Sequence, residues 1–346
     1  MKACVLHGVG DLRFEERRLP PLQPGEATMK IKAAGICGSD IPRVFDKGTY
    51  HFPTIPGHEF AGEIVEVAEA DNLRLVGTRA SVFPLLPCFR CGPCTAGQFA
   101  QCEAYDYYGS RRDGAFAEYL NVKVWNLVAV PEHVSYELAA MCEPAAVAMH
   151  ALEMGHPHYG DNVVISGAGT IGLILAQLAA GSGAEHVILM DVDPQKLDYA
   201  RKLGFADVVN TMEADASDAV KQITGGRMSQ VSIEGSGAAA SLRNCVRVTG
   251  NFGRVVLMGN PLGDMDMDQK TYWEILRRQL SVAGAWNSSF NGRRNHWERA
   301  IAAIASGKLN LEPLITHRLP LDGCNAAFTM LHNHTDFALK VMFIND

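Results

Sequence analysis

Apolar and polar residues alternate in MKACVLH (residues 1–7) and TMKIKAAGI (28–36), and EFAGEIVEVA (59–68) is apolar and β-rich. Successive side chains of a strand point to opposite faces, so these runs predict short strands, with turns at LPPLQPGE (19–26) and TIPG (54–57). GAFAEYLNV (114–122) and LVAVP (127–131) resume the strand pattern after a Pro- and Cys-dense stretch over 84–102 that no regular element accommodates. SYELAAMCEPAAVAMHALEMG (135–155) switches to helix formers behind a start signal at Ser135, with Pro144 predicting a helix-breaking joint near Glu143.

From Asn162 the pattern changes again. NVVISGAG, HVILMD, DVVN, QVSIEGSG, RVVLMGN and LSVAGA read as apolar strands, and TIGLILAQLAAGSGA and PQKLDYARKLG as helices between the first of them. Strands apolar on both faces and alternating with helices predict a parallel sheet covered on both sides. HWERAIAAIASGKL through FALKVMFIND reads as helix, loop, helix and a terminal strand that returns to the first domain.

The chain has 346 residues, more than twice the roughly 150 of an ordinary domain, which predicts two cores with a cleft between them. The expected division is a β-rich catalytic domain over 1–150 and 287–346 and a doubly wound parallel domain over 151–286. Lys and Arg number 31 against 38 Asp and Glu, a net charge of −7 with no block of like charge. Nucleic acid and anionic membrane surfaces select basic faces, so neither is an expected partner. Val163–Ala184 is uncharged, but it contains Ser166, Thr170, Gln177 and Ser182 among several glycines and reads as buried strand, turn and helix rather than a membrane span. The N-terminus offers no apolar signal segment, so a cytoplasmic location is expected.

Three groups of residues carry chemistry. Cys88, Cys91, Cys94 and Cys102 follow the spacing C-x2-C-x2-C-x7-C, which lets four thiolates close on a tetrahedral structural zinc with no position left for substrate. Disulfides or scattered core cysteines are the alternative, disfavoured by an intracellular setting. Gly35-Ile36-Cys37-Gly38-Ser39-Asp40 and Gly57-His58-Glu59-Phe60-Ala61-Gly62 offer a Cys and a His beside carboxylates, a donor pair suited to a second zinc open to substrate; either residue alone is more often an ordinary core residue. Gly167-Ala168-Gly169-Thr170-Ile171-Gly172 follows a predicted strand and opens a predicted helix, and Asp191 ends the next strand. That is the pattern in which glycines admit a pyrophosphate to a helix N-terminus and the distal acid binds the ribose diol; its charge repels a 2′-phosphate, so NAD is expected over NADP.

In this order along nearly the whole chain, these motifs resemble the zinc-dependent medium-chain alcohol and polyol dehydrogenases. FPLLPCFRC (83–91), YDYYGSRRDGAFAEY (105–119) and LNLEPLITHR (309–318) are most similar to the branch acting on sugar alcohols and their phosphates. The resemblance implies an α/β chain with a GroES-like catalytic domain and a Rossmann domain, two zinc ions, and NAD-dependent oxidation of a hexitol phosphate to a ketose phosphate. An unphosphorylated polyol or L-threonine would use the same metal and cofactor residues, and a nucleotide-sensing binding module is the non-enzymatic alternative. By resemblance Cys37, His58 and Glu143 ligate the catalytic zinc, with Glu59 as an exchanging neighbour and Cys142 as the alternative third ligand. A glutamate ligand makes the zinc harder and suits chelating vicinal diols. Ser39 takes the substrate proton, while Pro42 stands where many relatives have a relay histidine. Arg111 and Arg112 are candidates to grip a phosphate, the alternative being a solvated turn or an ion pair to Asp113. Tyr50, His51, Trp286 and Asn287 are pocket candidates by analogy, and Asp40 is expected to support His58 or Arg43. Relatives are dimers or tetramers, and LSVAGAW (280–286) is the expected edge for pairing. His156, His158, His332 and His334 are given no role.

Overall fold

The long strand Glu26–Gly35 organises the first part of the chain, because it pairs antiparallel with three others: Glu59–Val67, Tyr119–Lys123 and Lys340–Ile344. The computed structural model describes residues 1–345, and the chain divides into two units: Met1–Ala146 with the chain from Ser289 onward, and Val147–Ser288. In the first unit the sheet runs Ile315–Leu319, Lys340–Ile344, Glu26–Gly35, Glu59–Val67, Arg79–Val82, Leu127–Ala129, with Tyr119–Lys123 also on the long strand. One face buries Met29, Ile31, Phe60, Ile64, Phe116 and Phe343, which form one apolar core with the hairpin Lys2–Gly8 and Asp11–Glu16.

Register decides what meets at the end of this sheet. Gly35 lies opposite Glu59 on one side and Met342 on the other. The chain that leaves toward Cys37, the chain that enters from His58, and Lys340 are therefore brought to one edge. A Cβ on Gly35 would sit 2.6 Å from Glu59 Oε2, so only glycine leaves that carboxylate its place.

Tyr136–Ala140 begins on the Ser135 side chain, which accepts the Leu138 N–H at 3.2 Å. The joint falls at Met141 rather than at Glu143: a new helix, Cys142–Gly155, starts there and holds Pro144 in its first turn, where a missing N–H loses no helical hydrogen bond.

The second unit is an all-parallel six-stranded sheet in the order Val208–Asn210, His186–Asp191, Asn162–Ser166, Ser229–Glu234, Thr249–Leu257, Ser281–Gly284. Numbered along the chain this is 3-2-1-4-5-6, the doubly wound arrangement whose ligand crevice opens beyond the carboxyl ends of the first and fourth strands. Every residue of Asn162–Ser166 is buried, as a central strand covered on both faces demands. The helices Ala216–Ile223, Ala239–Val248 and Gln269–Arg278 complete the covering layers; their amphipathic pattern went unread between the strand signals. Among the described residues no helix is long and apolar enough to cross a membrane, and Val163–Ala184 resolves into strand, turn and helix.

Candidate functional site

In the second unit the first strand ends at Ser166 and turns into the helix Thr170–Gly181 with Gly169 as its N-cap. Gly167 has φ +108°, and a Cβ on Gly172 would lie 1.8 Å from Gly167 O, so both positions admit only glycine at this separation. The second strand ends at Asp191, whose Oδ2 accepts the Ala168 N–H at 2.7 Å. The tertiary fold thus sets the acid against the glycine turn. Trp286, half exposed, and Asn287, with φ +57°, also fall in this unit.

In the first unit the Sγ atoms of Cys88, Cys91, Cys94 and Cys102 all lie within 4.8 Å of one another. Cys91 Sγ and Cys102 Sγ are 3.9 Å apart, close to the edge of about 3.8 Å that a tetrahedron with 2.3 Å zinc–sulfur bonds requires. Backbone N–H groups of Arg90 and Cys91 lower the Cys88 thiol to about 6, while burial pushes Cys94 up to about 12. All nine cysteines are free thiols. The donor set fits a closed zinc site.

The second cluster forms where the sheet register predicts. Ligand atoms of Cys37, His58 and Glu59 lie within 4.8 Å of one another. Glu143 is buried beside them, with the Tyr107 hydroxyl donating to its Oε1 at 3.5 Å, but it stands outside that tight group. Cys142 points elsewhere: its thiol donates to Trp297 O at 3.4 Å. Asp40, fully buried, supports both residues assigned to it. Its Oδ2 accepts the Cys37 N–H at 3.0 Å, its Oδ1 takes Arg43 Nη1 at 2.7 Å, and His58 Nδ1 lies 3.4 Å away, in ion-pair range without hydrogen-bond geometry. Ser39 Oγ accepts from Arg43 Nη1 at 3.0 Å and donates to Cys37 Sγ at 3.3 Å.

Sequence inspection missed Lys340. Its ammonium, buried at 3% exposure, pairs with Glu59 Oε2 and donates to Ile36 O at 3.0 Å. A lone lysine opening a terminal apolar run, KVMFI, was the available signal. Tyr107 was missed as well, for want of any pattern linking it to Glu143.

The buried charges do not balance. The carboxylates of Asp40, Glu59 and Glu143, all buried, make three negative charges against two positive ones on Lys340 and the half-buried Arg43. That surplus draws protons. Burial alone would lower His58, but Asp40 and Cys37 raise it well above its usual value. Burial, reinforced by Glu59 and Asp40, raises Glu143 to about 7. Asp40 itself, which burial would raise, is held at about 2 by His58, Arg43 and the Cys37 N–H. A divalent cation on soft, borderline and oxygen donors supplies the missing charge, so the residues fit zinc.

A pH dependence follows. Both shifted groups have folded pKa values above their unfolded ones, so each contributes stability below the unfolded pKa and loses it as pH rises through the folded pKa. For Glu143 that window runs from 4.5 to about 7. Protein stripped of metal with a chelator is therefore expected to lose on the order of 1–3 kcal/mol between pH 5 and pH 8, while zinc affinity rises over the same range as protons leave the ligands. Thermal melts and zinc titrations at the two pH values measure this; a flat stability profile would contradict the charge surplus.

Two arginines stand apart from this cluster in the turn after Tyr108. Arg112 pairs with Asp106, Nε to Oδ2 at 3.0 Å, and not with Asp113, whose Oδ1 instead accepts the Ile55 N–H at 2.9 Å. Arg111 packs against the rings of Tyr50 and Tyr105, and His51 Nε2 lies 3.0 Å from Arg111 O.

Comparison with known proteins agrees with this architecture. Residues 23–132 match the alcohol dehydrogenase GroES-like domain and residues 170–306 the zinc-binding dehydrogenase domain. Galactitol 1-phosphate 5-dehydrogenase of Escherichia coli K12 is 37% identical over 320 residues, 92% of each chain. The crystal structure of galactitol-1-phosphate dehydrogenase from Escherichia coli superposes with a TM-score of 0.94 at 35% identity, covering all of both chains. Two further structures reach a TM-score of 0.91: an alcohol dehydrogenase from Escherichia coli CFT073 complexed with NADH, at 28% identity over 100% of this chain and 99% of that one, and a zinc-binding dehydrogenase from Sinorhizobium meliloti 1021 bound to NADP, at 29% identity over 99% of each. Two matched domains in the same order, one with a surplus of buried negative charge and one with a dinucleotide turn, leave one assignment: the chain belongs to the zinc-dependent medium-chain alcohol and polyol dehydrogenases, enzymes that work with zinc and a nicotinamide cofactor.

Proposed function

We propose that this enzyme oxidises a secondary hydroxyl of a polyol phosphate, galactitol 1-phosphate being the leading substrate, to the ketose phosphate tagatose 6-phosphate, with NAD as hydride acceptor. The observation that carries the metal chemistry is the Cys37–His58–Glu59 cluster, with His58 and Glu59 buried and the surrounding carboxylates in excess of cations. Cys37 and His58 hold the catalytic zinc; Glu143 completes its ligands, and Glu59, restrained by Lys340, exchanges with it. Asp40 orients His58 from the Nδ1 side, the usual support for a metal-bound imidazole. A zinc ion held there supplies Lewis-acid polarisation of the substrate hydroxyl. Cys88, Cys91, Cys94 and Cys102 hold a second, structural zinc, giving two per chain.

Ser39 handles the substrate proton. A hydroxyl has two lone pairs and one O–H; the Arg43 bond occupies one lone pair and Cys37 Sγ takes the O–H, which leaves one lone pair to accept from the alcohol. Ser39 would accept the alcohol's proton as it releases its own O–H proton to the next group of the relay; with Pro42 in place of the relay histidine, Arg43, whose Nη1 donates to Ser39 Oγ, would stabilise negative charge on that oxygen during the exchange. Gly167, Gly169, Thr170, Ile171 and Gly172 cradle the pyrophosphate at the helix N-terminus, and Asp191 selects NAD. The unit of Met1–Ala146 and the chain from Ser289 onward is the catalytic domain and the unit Val147–Ser288 the nucleotide domain, a few residues from the expected divisions at 150 and 287. Of the substrate candidates, Tyr50 and Arg111 are assigned to the substrate while Asp106 engages Arg112; Trp286 and Asn287 stay assigned by analogy alone. A homodimer or homotetramer is supported by the exposed edge strand Ser281–Gly284, with Val282 and the helix residues Trp273 and Leu276 exposed in the same unit.

Steady-state kinetics test the substrate and cofactor together. Galactitol 1-phosphate is expected to exceed galactitol, sorbitol and L-threonine in kcat/KM by about tenfold or more, and NAD to exceed NADP similarly. Equal values across the polyols would remove the phosphate from the assignment.

A further inference from the structure

The two neighbouring arginines of the Gly109–Gly114 turn are treated differently by the fold. Arg112 is committed internally, with Asp106 on its Nε at 3.0 Å and the Tyr108 ring 5.5 Å from its Cζ. The Arg111 guanidinium has no ion-pair or hydrogen-bond partner among the described residues. Instead its Cζ lies 4.0 Å from the centroid of Tyr50 and 4.5 Å from that of Tyr105. Aromatic rings attract a guanidinium without neutralising its charge or using its N–H groups, which lie in the guanidinium plane. Arg111 therefore keeps a full positive charge and a set of unused donors in a restrained orientation.

That orientation is fastened to the metal cluster. A Cβ on Gly114 would lie 2.2 Å from Gly57 O and one on Gly109 2.7 Å from the same atom, so the turn packs backbone to backbone on the residue before His58. Ala115 N donates to Gly57 O at 2.9 Å, Gly114 N to Ile55 O at 2.6 Å, and Ile55 N to Asp113 Oδ1 at 2.9 Å. From the other side Tyr50 N donates to Ser110 O at 3.2 Å, and His51 Nε2 lies 3.0 Å from Arg111 O. The loop that carries Tyr50 and the turn that carries Arg111 are thus joined by hydrogen bonds to each other and to the segment entering His58.

We infer that Arg111, flanked by Tyr50 and Tyr105, is the group that binds the substrate's phosphate, and that Asp106 withdraws Arg112 from that role. This rests on the polyol-phosphate function proposed above and names the residue that selects it. A phosphate monoester presents a dianion with three terminal oxygens, which a planar guanidinium meets with two parallel N–H bonds; a neutral polyol offers neither the charge nor that geometry. The flanking rings hold the guanidinium in one plane, so little side-chain freedom is lost on binding. Lysine keeps the charge but not the fork.

The test compares wild type with Arg111→Lys, Arg112→Lys and Tyr50→Leu, using galactitol 1-phosphate and galactitol as paired substrates and inorganic phosphate as a competitor of galactitol oxidation. Because each variant's galactitol rate serves as its own reference, a loss of folded enzyme cancels from the ratio. Arg111→Lys is expected to lower the kcat/KM ratio of phosphorylated to free polyol by about ten- to a hundredfold, through KM rather than kcat, and to raise the inhibition constant of phosphate about tenfold. Tyr50 is 68% exposed, so its replacement removes little packing; Tyr50→Leu is expected to lower the ratio by about three- to tenfold, and Arg112→Lys by less than about threefold. A wild type that prefers the phosphorylated polyol, with a ratio that Arg111→Lys leaves unchanged or that Arg112→Lys lowers as much, overturns the assignment of Arg111 and leaves the polyol-phosphate function standing. A wild type without that preference, in which phosphate still competes through Arg111, defeats galactitol 1-phosphate as substrate and supports the anion site. No preference and no competition by phosphate defeats both.

Discussion

Replacing His58 with Ala is expected to lower kcat/KM by about a thousandfold or more and to remove about one equivalent of zinc per chain. His58 reaches the cluster from the chain entering Glu59–Val67, with Cys37 and Glu59 donors within 4.8 Å. It is also the one aromatic nitrogen donor of that group, and it faces Asp40 at 3.4 Å. Its loss subtracts a ligand that no neighbour replaces, because Glu59 and Glu143 are already assigned to the metal and Cys142 is turned to Trp297 O. Lewis-acid polarisation contributes several kcal/mol to such reactions, and about 4 kcal/mol corresponds to a thousandfold. The variant should stay folded, since the imidazole is peripheral to the apolar core around Phe60 and Phe116. Steady-state rates with metal analysis decide it: activity within tenfold of wild type at unchanged zinc content would place the reacting centre elsewhere.

Lys340→Met is expected to destabilise the protein by about 3–5 kcal/mol, the range found when one member of a buried ion pair is removed and its partner stays charged. Lys340 and Glu59 are 3% and 2% exposed, so solvent screens neither. Burial opposes the charge on Lys340, yet Glu59 and Cys37 raise its pKa above the usual lysine value, so it stays an ammonium. Methionine fills much of the volume but leaves the Glu59 carboxylate and the Ile36 carbonyl without their donor. Urea unfolding of the unit containing residue 340 measures the loss, and adding Glu59→Gln to Lys340→Met should recover part of it, because the stranded charge is then gone. A loss below about 1 kcal/mol would mean that the pair is not what stabilises this edge of the sheet.

How much of this was legible in sequence depends on how far apart along the chain the interacting groups lie. The four cysteines of the metal lobe fall between 88 and 102, where loop spacing alone can converge four sulfurs. The glycine turn is as local: its requirements belong to one strand, one turn and one helix. The domain type followed because a parallel sheet covered on both faces needs uninterrupted apolar strands. The break before Cys142–Gly155 was misplaced by about two residues, since a proline in the first turn of a helix and one that ends a helix look alike until the carbonyl partners are known.

By itself the sequence determined which chemistry the chain can host: soft and borderline metal donors, a pyrophosphate turn, an acid at the right distance for a ribose, and a pair of arginines in a glycine-flanked turn. Each depends on residue type and short spacing, which the covalent chain alone specifies. Only the tertiary structure decided which of these groups share an environment. It set Lys340, some 280 residues from Glu59, against that carboxylate, turned Cys142 away from the cluster, and separated Arg111 from Arg112 by giving Asp106 to the latter. The physical reason is that strand register and burial set the distances and the local dielectric, and a charge's partner and protonation depend on both.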